Sequence, residues 1–154
     1  MEDKIIKTSL SKAKTIAMVG VSSIKIEDSS NVKRRPSIIV MKYLQEFGYR
    51  VIPVNPFSAG KEIYGETVVA KLQDIKIPID IVDVFRPSNE APTFAKETVQ
   101  VGAKVFWLQY GIQSNDAKKI VESKKIFYVS NKCIKQEYQR LFLKVSPVFP
   151  ALKN

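Results

Sequence analysis

A glycine turn and a cluster of cations stand at the two ends of one polar loop. The apolar run Thr15–Gly20 has the length and composition of a buried strand, and it leads into Gly20-Val21-Ser22. Lys33-Arg34-Arg35 stands directly before Pro36-Ser37, where a helical pattern begins. A buried strand, a glycine at its carboxyl end and a following helix start form a phosphate site in open α/β sheets. The three cations would add positive charge where the phosphates of a ligand lie.

The chain contains no histidine. Histidine-based acid/base catalysis, phosphohistidine chemistry and histidine-ligated metal sites are therefore excluded. The sequence also shows no nucleophile–base pair, no carboxylate dyad and no metal-ligand cluster. We therefore predict a binding protein that is not an enzyme by itself and holds no metal.

Size and composition predict a single domain over residues 1–154, with its core at about 14–143. The chain has 154 residues, 45% of them hydrophobic, and no apolar run near the roughly 20 residues that span a bilayer. We expect no secretory signal and no membrane contact. Its one cysteine, Cys133, cannot form an internal disulfide, which favours a reducing, cytoplasmic location.

The formal net charge of +10 has two interpretations. The first is a lysine-rich solvated surface, and the second is attraction to a polyanion. Only Lys33-Arg34-Arg35 is a tight cluster beside a recognisable site, and signals for RNA binding are missing. We therefore expect a small phosphorylated ligand rather than a nucleic acid, and leave a homo-oligomer or a partner subunit open.

Hydrophobic patterning predicts an alternation of strands and helices. Ser88 is expected to cap the third helix and Asn115 the fourth, while Gly48 and Gly102 are expected to end helices. The predicted strands are Thr15–Gly20, Tyr49–Val54, Ile79–Phe85, Lys104–Leu108 and Ile126–Val129, with a short extended piece at Lys61–Gly65. Residues 1–13 are expected to form a short helix or an arm. The other predicted helical segments are Pro36–Phe47, a turn or two at Val68–Leu72, Ser88–Gly102, Asn115–Ser123 and Ile134–Leu143.

This alternation indicates an α/β fold with a doubly wound parallel sheet of five strands, in three α/β/α layers. Ligands of such sheets bind at the carboxyl ends of the strands. These ends carry Gly20-Val21-Ser22, Asn55-Pro56, Asp83-Val84-Phe85-Arg86 and Gln109-Tyr110-Gly111, which are more polar and glycine-rich than the strands before them.

The turn after the first strand does not match the usual nucleotide motifs. After Gly20 no glycine follows until Gly48, so neither G-x-G-x-x-G nor a P-loop is present. A dinucleotide site also needs an acidic residue at the end of the second strand, where this chain has Asn55. An uncharged amide suits a ligand with more phosphates than NAD.

The chain resembles the small stand-alone CoA-binding domains, which are similar to the CoA-binding domain of succinyl-CoA synthetase alpha subunits. The resemblance covers roughly residues 14–141 in the same order. The matching pieces are Ile16–Ser22, Arg35-Pro36-Ser37, Gly48–Pro56, Ile63-Tyr64-Gly65, Asp80–Arg86, Gly102–Gly111 and Cys133-Ile134-Lys135.

The resemblance implies a five-stranded Rossmann-like core that binds coenzyme A or an acyl-CoA. The phosphohistidine chemistry of the larger synthetases does not carry over, because the chain has no histidine. Relatives commonly have a histidine soon after the position of Cys133, where this chain has Tyr138. The predicted ligand-binding residues are Gly20, Val21, Ser22, Lys33, Arg35, Pro36, Ser37, Asn55, Pro56, Asp83, Phe85, Arg86, Gln109 and Gly111.

Several of these residues have alternative interpretations. Asp83 is either a ligand contact or a helix-capping carboxylate, and Arg86 pairs either with phosphate or with Asp83. Trp107 is expected in the core. Cys133 is either inert packing or a thiol that exchanges with CoA.

The sequence as a whole predicts a CoA-binding protein without catalytic machinery, which would act as a CoA carrier or a thiol-redox partner. The alternative is a nicotinamide dinucleotide-binding oxidoreductase domain. Asn55 and the missing second glycine weigh against this alternative.

Overall fold

The computed structural model describes residues 1–22 and 36–144. The helices of this part are α1 (Glu2–Lys12), α2 (Pro36–Glu46), α3 (Ala91–Val101), α4 (Asn115–Glu122) and α5 (Ile134–Tyr138), which a π turn (Gln139–Leu143) continues. The strands are β1 (Thr15–Val19), β2 (Arg50–Val54), β3 (Glu62–Ile63), β4 (Glu66–Thr67), β5 (Ile81–Val84), β6 (Val105–Leu108) and β7 (Phe127–Val129).

Five strands form one parallel sheet in the order β2-β1-β5-β6-β7, as the sequence predicts. Val69 makes a further parallel bridge to Val54 at the free edge of β2. With Val69 in the place of a strand, the order is that of the doubly wound Rossmann sheet. The chain then crosses to the other side of β1, so that the point where the strand order reverses lies between β1 and β5.

Each face of the sheet packs against its own set of helices because side chains alternate along every strand. Ile16 and Met18 face the layer formed by α1, α2 and α5. Ala17 and Val19 face the layer formed by α3 and α4. The residues of β1 are all buried, which is typical of a central strand covered on both sides. The structure thus confirms the three-layer α/β/α architecture.

The connection from β2 to β5 differs from the prediction. The predicted helical turn at Val68–Leu72 is wrong, because the Val69 backbone hydrogen-bonds to Pro53 and Asn55 along the edge of β2. A 3-10 turn follows only at Leu72–Asp74. The predicted extended piece at Lys61–Gly65 is confirmed as half of the β3–β4 hairpin.

Both predicted helix caps are also wrong. The Ser88 hydroxyl accepts a hydrogen bond from the Gln113 amide, and Ser88 opens a 3-10 turn before α3. Helix α4 is capped by Ser114, whose Oγ accepts from the Ala117 amide, so that Asn115 is the first helical residue. Gly102 ends α3 in the left-handed region, as predicted. Within the described ranges, no helix has the length and apolar character that crossing a bilayer requires.

Candidate functional site

A narrow crevice lies where the ends of β1 and β5 meet. The Gly20 amide donates to the Val54 carbonyl at 2.9 Å, and the Phe85 amide donates to the Val19 carbonyl at 2.8 Å. Gly20 has φ +88°, and a Cβ atom there would lie 2.9 Å from the Phe85 oxygen and 2.8 Å from Arg86 Cδ. Only glycine fits this position without a shift of its neighbours.

The beginning of α2 is tied to the end of β1. The Oγ of the buried Ser37 accepts a hydrogen bond from the Ser22 amide at 3.1 Å. Pro36 is the exposed first residue of the helix, and Val21 is buried in the core below it. The structure therefore brings these four predicted site residues together. Lys33 and Arg35 lie outside the described residues.

Asn55 joins the loops that follow β1 and β2. Its Nδ2 donates to the Val21 carbonyl at 2.8 Å, and its Oδ1 accepts from the Phe57 amide at 2.8 Å. The side-chain amide thus holds the crevice together from the β2 side. Pro56 is exposed beside it.

A cavity of about 160 Å³ opens beside Gly20, between the end of β2 and helix α3. Four predicted site residues line it: Gly20, Asn55, Pro56 and Arg86. Sequence analysis missed the rest of the lining: Val19, Val54, Phe57, Ala70, Lys71, Glu90, Phe94 and Glu97. The spacing i, i+4, i+7 of Glu90, Phe94 and Glu97 places them on one face of a helix and could have indicated this wall.

The charged groups at this cavity differ in how they are paired. Arg86 Nη2 lies 2.8 Å from Glu90 Oε2, and Arg86 Nε lies 3.0 Å from Glu90 Oε1. This hydrogen-bonded pair lowers the pKa of the Glu90 carboxyl. Burial raises the pKa of Glu97, although the Leu72 amide and the charge of Lys71 oppose the shift. Arg86 therefore pairs with Glu90, and of its two interpretations the pairing with Asp83 is wrong.

Asp83 is fully buried in β5, between Met18 of β1 and Trp107 of β6. Among the described residues neither carboxyl oxygen has a hydrogen-bond partner, so the helix-capping interpretation is wrong. Burial raises the pKa of this carboxyl well above its usual range and favours the neutral acid. The side chain has no exposed surface from which to contact a ligand in this structure.

The ends of β6 and β7 form a second part of the same sheet edge. Gln109 Oε1 accepts from the Ile134 amide at 3.1 Å, and the Gly111 amide donates to Asn131 Oδ1 at 2.7 Å. Cys133 immediately precedes α5 and is half-buried against the core. Trp107 is buried, as expected, and its Nε1 donates to the Lys132 carbonyl. Gln109 thus fixes the segment that carries Cys133.

Comparison with known proteins assigns the chain to a protein family. Residues 14–139 match the sequence profile described as the CoA binding domain. The chain belongs to this family. The CoA-binding domain therefore covers the crevice, the cavity and the segment around Cys133.

Two further comparisons place the chain among similar proteins of several organisms. It is 38% identical to the uncharacterized protein YneT of Bacillus subtilis (strain 168) over 130 residues, which cover 84% of this chain and 89% of YneT. The solved structure of the cell-free ID.343 protein of Thermus thermophilus has 40% identity and a TM-score of 0.82, covering 92% of this chain and 100% of that one. A hypothetical protein of Pyrococcus horikoshii OT3 has 33% identity and a TM-score of 0.79, with 92% of each chain covered.

Proposed function

We propose that this protein binds coenzyme A at the carboxyl edge of its sheet and catalyses no reaction by itself. The observation that carries the proposal is the close approach of Gly20 and Phe85 at the reversal of strand order, in a chain of the CoA-binding domain family. This is the position at which open α/β sheets bind nucleotides. It also adjoins the start of an 11-residue helix, whose amides favour negative charge.

The phosphates of CoA would lie across Gly20, Ser22 and the first turn of α2. Lys33 and Arg35 precede this turn in the sequence and are proposed as their cationic partners. Arg86 is a weaker candidate, because Glu90 already holds its guanidinium group through two hydrogen bonds. A phosphate would have to displace Glu90 before it could bind Arg86.

Within the described part of the chain, Asn55 argues against the dinucleotide alternative. A dinucleotide site uses a carboxylate at the end of the second strand to bind the ribose hydroxyls. Asn55 occupies this position, and its side chain is engaged with Val21 and Phe57. The Asn55 amide therefore supports the loops and provides no carboxylate at the end of β2.

The thiol of CoA suggests a role for Cys133. Gln109 and Cys133 lie at the same carboxyl edge of the sheet, and Cys133 is half-buried. We propose that the Cys133 thiolate attacks the disulfide of oxidised CoA, forms a Cys133–CoA disulfide and releases one CoA thiolate. The protein would then act as a store of CoA or as a redox-responsive carrier of it.

Native mass spectrometry of the purified protein tests the proposed function. A bound species with the mass of CoA or an acyl-CoA, released on denaturation, is the expected result. A bound species with the mass of a nicotinamide dinucleotide would favour the alternative and would contradict the proposal.

A further inference from the structure

We propose that the outer side of α2 is a self-association surface, through which two copies of this chain pair antiparallel about a two-fold axis at Tyr43. This surface, the α2 face, consists of Ile39, Lys42, Tyr43, Glu46 and Phe47. Their spacing of i, i+3, i+4, i+7 and i+8 places them on one side of a helix. The proposal does not depend on CoA binding.

Helix α2 is apolar on more than the side that covers the sheet. Ile38, Met41 and Leu44 are fully buried in the core. On the other side of the helix, however, Ile39 is 37% exposed and Phe47, just past its end, is 41% exposed. A helix with one covered face usually carries polar residues on the other. Helix α4 follows this rule, since its exposed residues are all polar or charged, and α2 departs from it.

The tip of the β3–β4 hairpin places a further exposed ring beside the α2 face. Tyr64 is 42% exposed and has φ +48°, and with Gly65 it forms the two-residue turn between β3 and β4. Such turns prefer Asn, Asp or Gly, because a bulky residue is strained at positive φ. Gln45 Nε2 donates to the Tyr64 carbonyl at 3.3 Å and ties the tip to α2. A strained tyrosine at an exposed tip indicates that its ring is used.

An open groove of about 320 Å³ lies between this tip and α2. Ile39 and Tyr43 supply apolar lining. Lys42 Nζ lies 5.2 Å from the centroid of the Tyr64 ring, and Lys135 Nζ lies 5.3 Å from that of the Tyr43 ring. These cation–π contacts hold both rings in place. The groove therefore offers an ordered apolar surface to a side chain from a second copy.

Lys42 and Glu46 make the α2 face complementary to itself. Within residues 1–22 and 36–144, neither of them takes part in an ion pair. In an antiparallel pair centred on Tyr43, Lys42 of one copy and Glu46 of the other lie about 3 Å apart along the axis, from a rise of about 1.5 Å per residue.

The two-fold axis repeats each contact of the α2 face, so that both charges of each copy are matched. Ile39 of one copy lies opposite Phe47 of the other in the same arrangement, because each is four residues from Tyr43. A purely acidic or purely basic partner would match only one of the two charges. The α2 face is therefore better suited to a second copy of this chain.

Sedimentation velocity of the full chain over a concentration series tests the proposal. Physiological ionic strength is required, because it screens the repulsion between two copies of net charge +10. The unmodified protein should shift from monomer to dimer as its concentration rises. Lys42→Glu and Glu46→Lys each replace two attractive contacts by two repulsive ones. Each variant alone should weaken association by about tenfold or more.

An equimolar mixture of these two variants is decisive. The Lys42→Glu copy carries two carboxylates on its α2 face, and the Glu46→Lys copy carries two ammonium groups. A pair formed from one copy of each restores both contacts across the axis. The mixture should therefore associate about as tightly as the unmodified protein. A contact between positions 42 and 46 within one chain cannot give this rescue.

Helix α4 offers a matched control. Lys118 and Glu122 have the same residue types and the same i, i+4 spacing on an exposed helix face. Lys118 Nζ also lies over a tyrosine ring, at 6.0 Å from the centroid of Tyr128. Lys118→Glu and Glu122→Lys should leave the association constant unchanged, because α4 lies outside the proposed contact.

Tyr64→Asn separates association from folding. Asparagine accepts the positive φ of this turn more readily than tyrosine does, so the free energy of unfolding of the monomer should be kept or raised. Association should nevertheless weaken by about tenfold, since a large aromatic contact is lost. Urea denaturation at a concentration where both proteins are monomeric makes the comparison, because dimer formation itself adds stability.

Three outcomes would overturn the proposal. The first is a chain that stays monomeric throughout the series, which would leave the α2 face to a partner of other composition. The second is a dimer that the variants at positions 42 and 46 leave unchanged, which would place the contact elsewhere. The third is a mixture that associates no better than either variant alone. Rescue in the mixture, with the α4 variants unchanged, would support the proposal whether or not the protein binds CoA.

Discussion

Gly20 and Phe85 lie so close together that a Cβ atom at position 20 would sit 2.9 Å from the Phe85 carbonyl oxygen. A backbone atom cannot move aside as the end of a flexible side chain can. The structure therefore places two demands on residue 20, a positive φ and the absence of a side chain. Substitution of a second glycine that has a positive φ but no close neighbour separates the effects of the two demands on stability.

We expect Gly20→Ala to lower the free energy of unfolding by about 1–3 kcal/mol for the strained φ alone, with a further loss from the contact. Gly60→Ala is the matched control, because Gly60 has φ +92° and nothing within 4 Å of an added Cβ. Urea denaturation should show the larger loss for Gly20→Ala. Equal losses would mean that the close approach costs nothing.

Ser37→Ala should remove the hydrogen bond that joins the start of α2 to the end of β1. The substitution leaves the half-buried Ser22 amide without its acceptor, which typically costs about 1–3 kcal/mol. Ser123→Ala is the control, since the Ser123 hydroxyl donates to a carbonyl at an exposed helix end. Denaturation curves measure both losses, and a smaller loss for Ser37→Ala than for Ser123→Ala would contradict the assigned role.

Asp83 predicts an unusual dependence of stability on pH. Its pKa is raised in the folded state, so the folded protein binds this proton more tightly than the unfolded chain does. The protonated Asp83 makes its whole contribution to the free energy of unfolding at pH values below its pKa in the unfolded chain. This contribution is lost as pH rises through its pKa in the folded protein. Asp83→Asn removes the titrating group and should therefore remove this contribution to the pH dependence of the free energy of unfolding.

Urea denaturation over a pH series, read as the difference between the two proteins, isolates the effect of Asp83. Carboxyls whose pKa is lowered, such as Glu90 beside Arg86, stabilise the folded protein less as pH falls. This effect is the same in both proteins and cancels in the difference. The free energy of unfolding of the unmodified protein should fall relative to Asp83→Asn as pH rises. A constant difference would show that Asp83 does not titrate differently on folding.

Cys133 gives a direct test of the thiol-redox role. Incubation with CoA disulfide should give a CoA-sized adduct by intact-mass measurement, because thiol exchange leaves one CoA on the protein. The adduct should disappear with reductant and be absent from Cys133→Ser. No adduct, in protein that binds CoA reversibly, would identify Cys133 as core packing.

The strands and the sheet could be predicted from sequence because their signal is local. Apolar runs such as Val105–Leu108 are typical of strands covered on both faces, and Gly102 stands where a helix ends with a left-handed residue. The caps of α3 and α4 could not be assigned in the same way. Neighbouring polar residues compete for such positions, and the Ser88 hydroxyl binds the distant Gln113 amide instead.

The site could be predicted only in part, for the same reason. Gly20 and Asn55 follow strands directly, so the topology alone brings them to one edge. Lys71 reaches the cavity through the packing of the segment after Val69, which no local pattern encodes. Glu97 shares a helix face with Glu90 and Phe94, but the spacing does not say which part of the sheet that face meets. The Arg86–Glu90 pair also depends on a side-chain conformation that the sequence leaves open.

The central claim is that this chain binds CoA in preference to other adenine nucleotides. Isothermal titration calorimetry with CoA, NAD, NADP and ATP at one ionic strength tests it most directly, since salt alters phosphate binding. The account predicts that CoA binds most tightly of the four. NAD binding that equals or exceeds that of CoA would contradict the account.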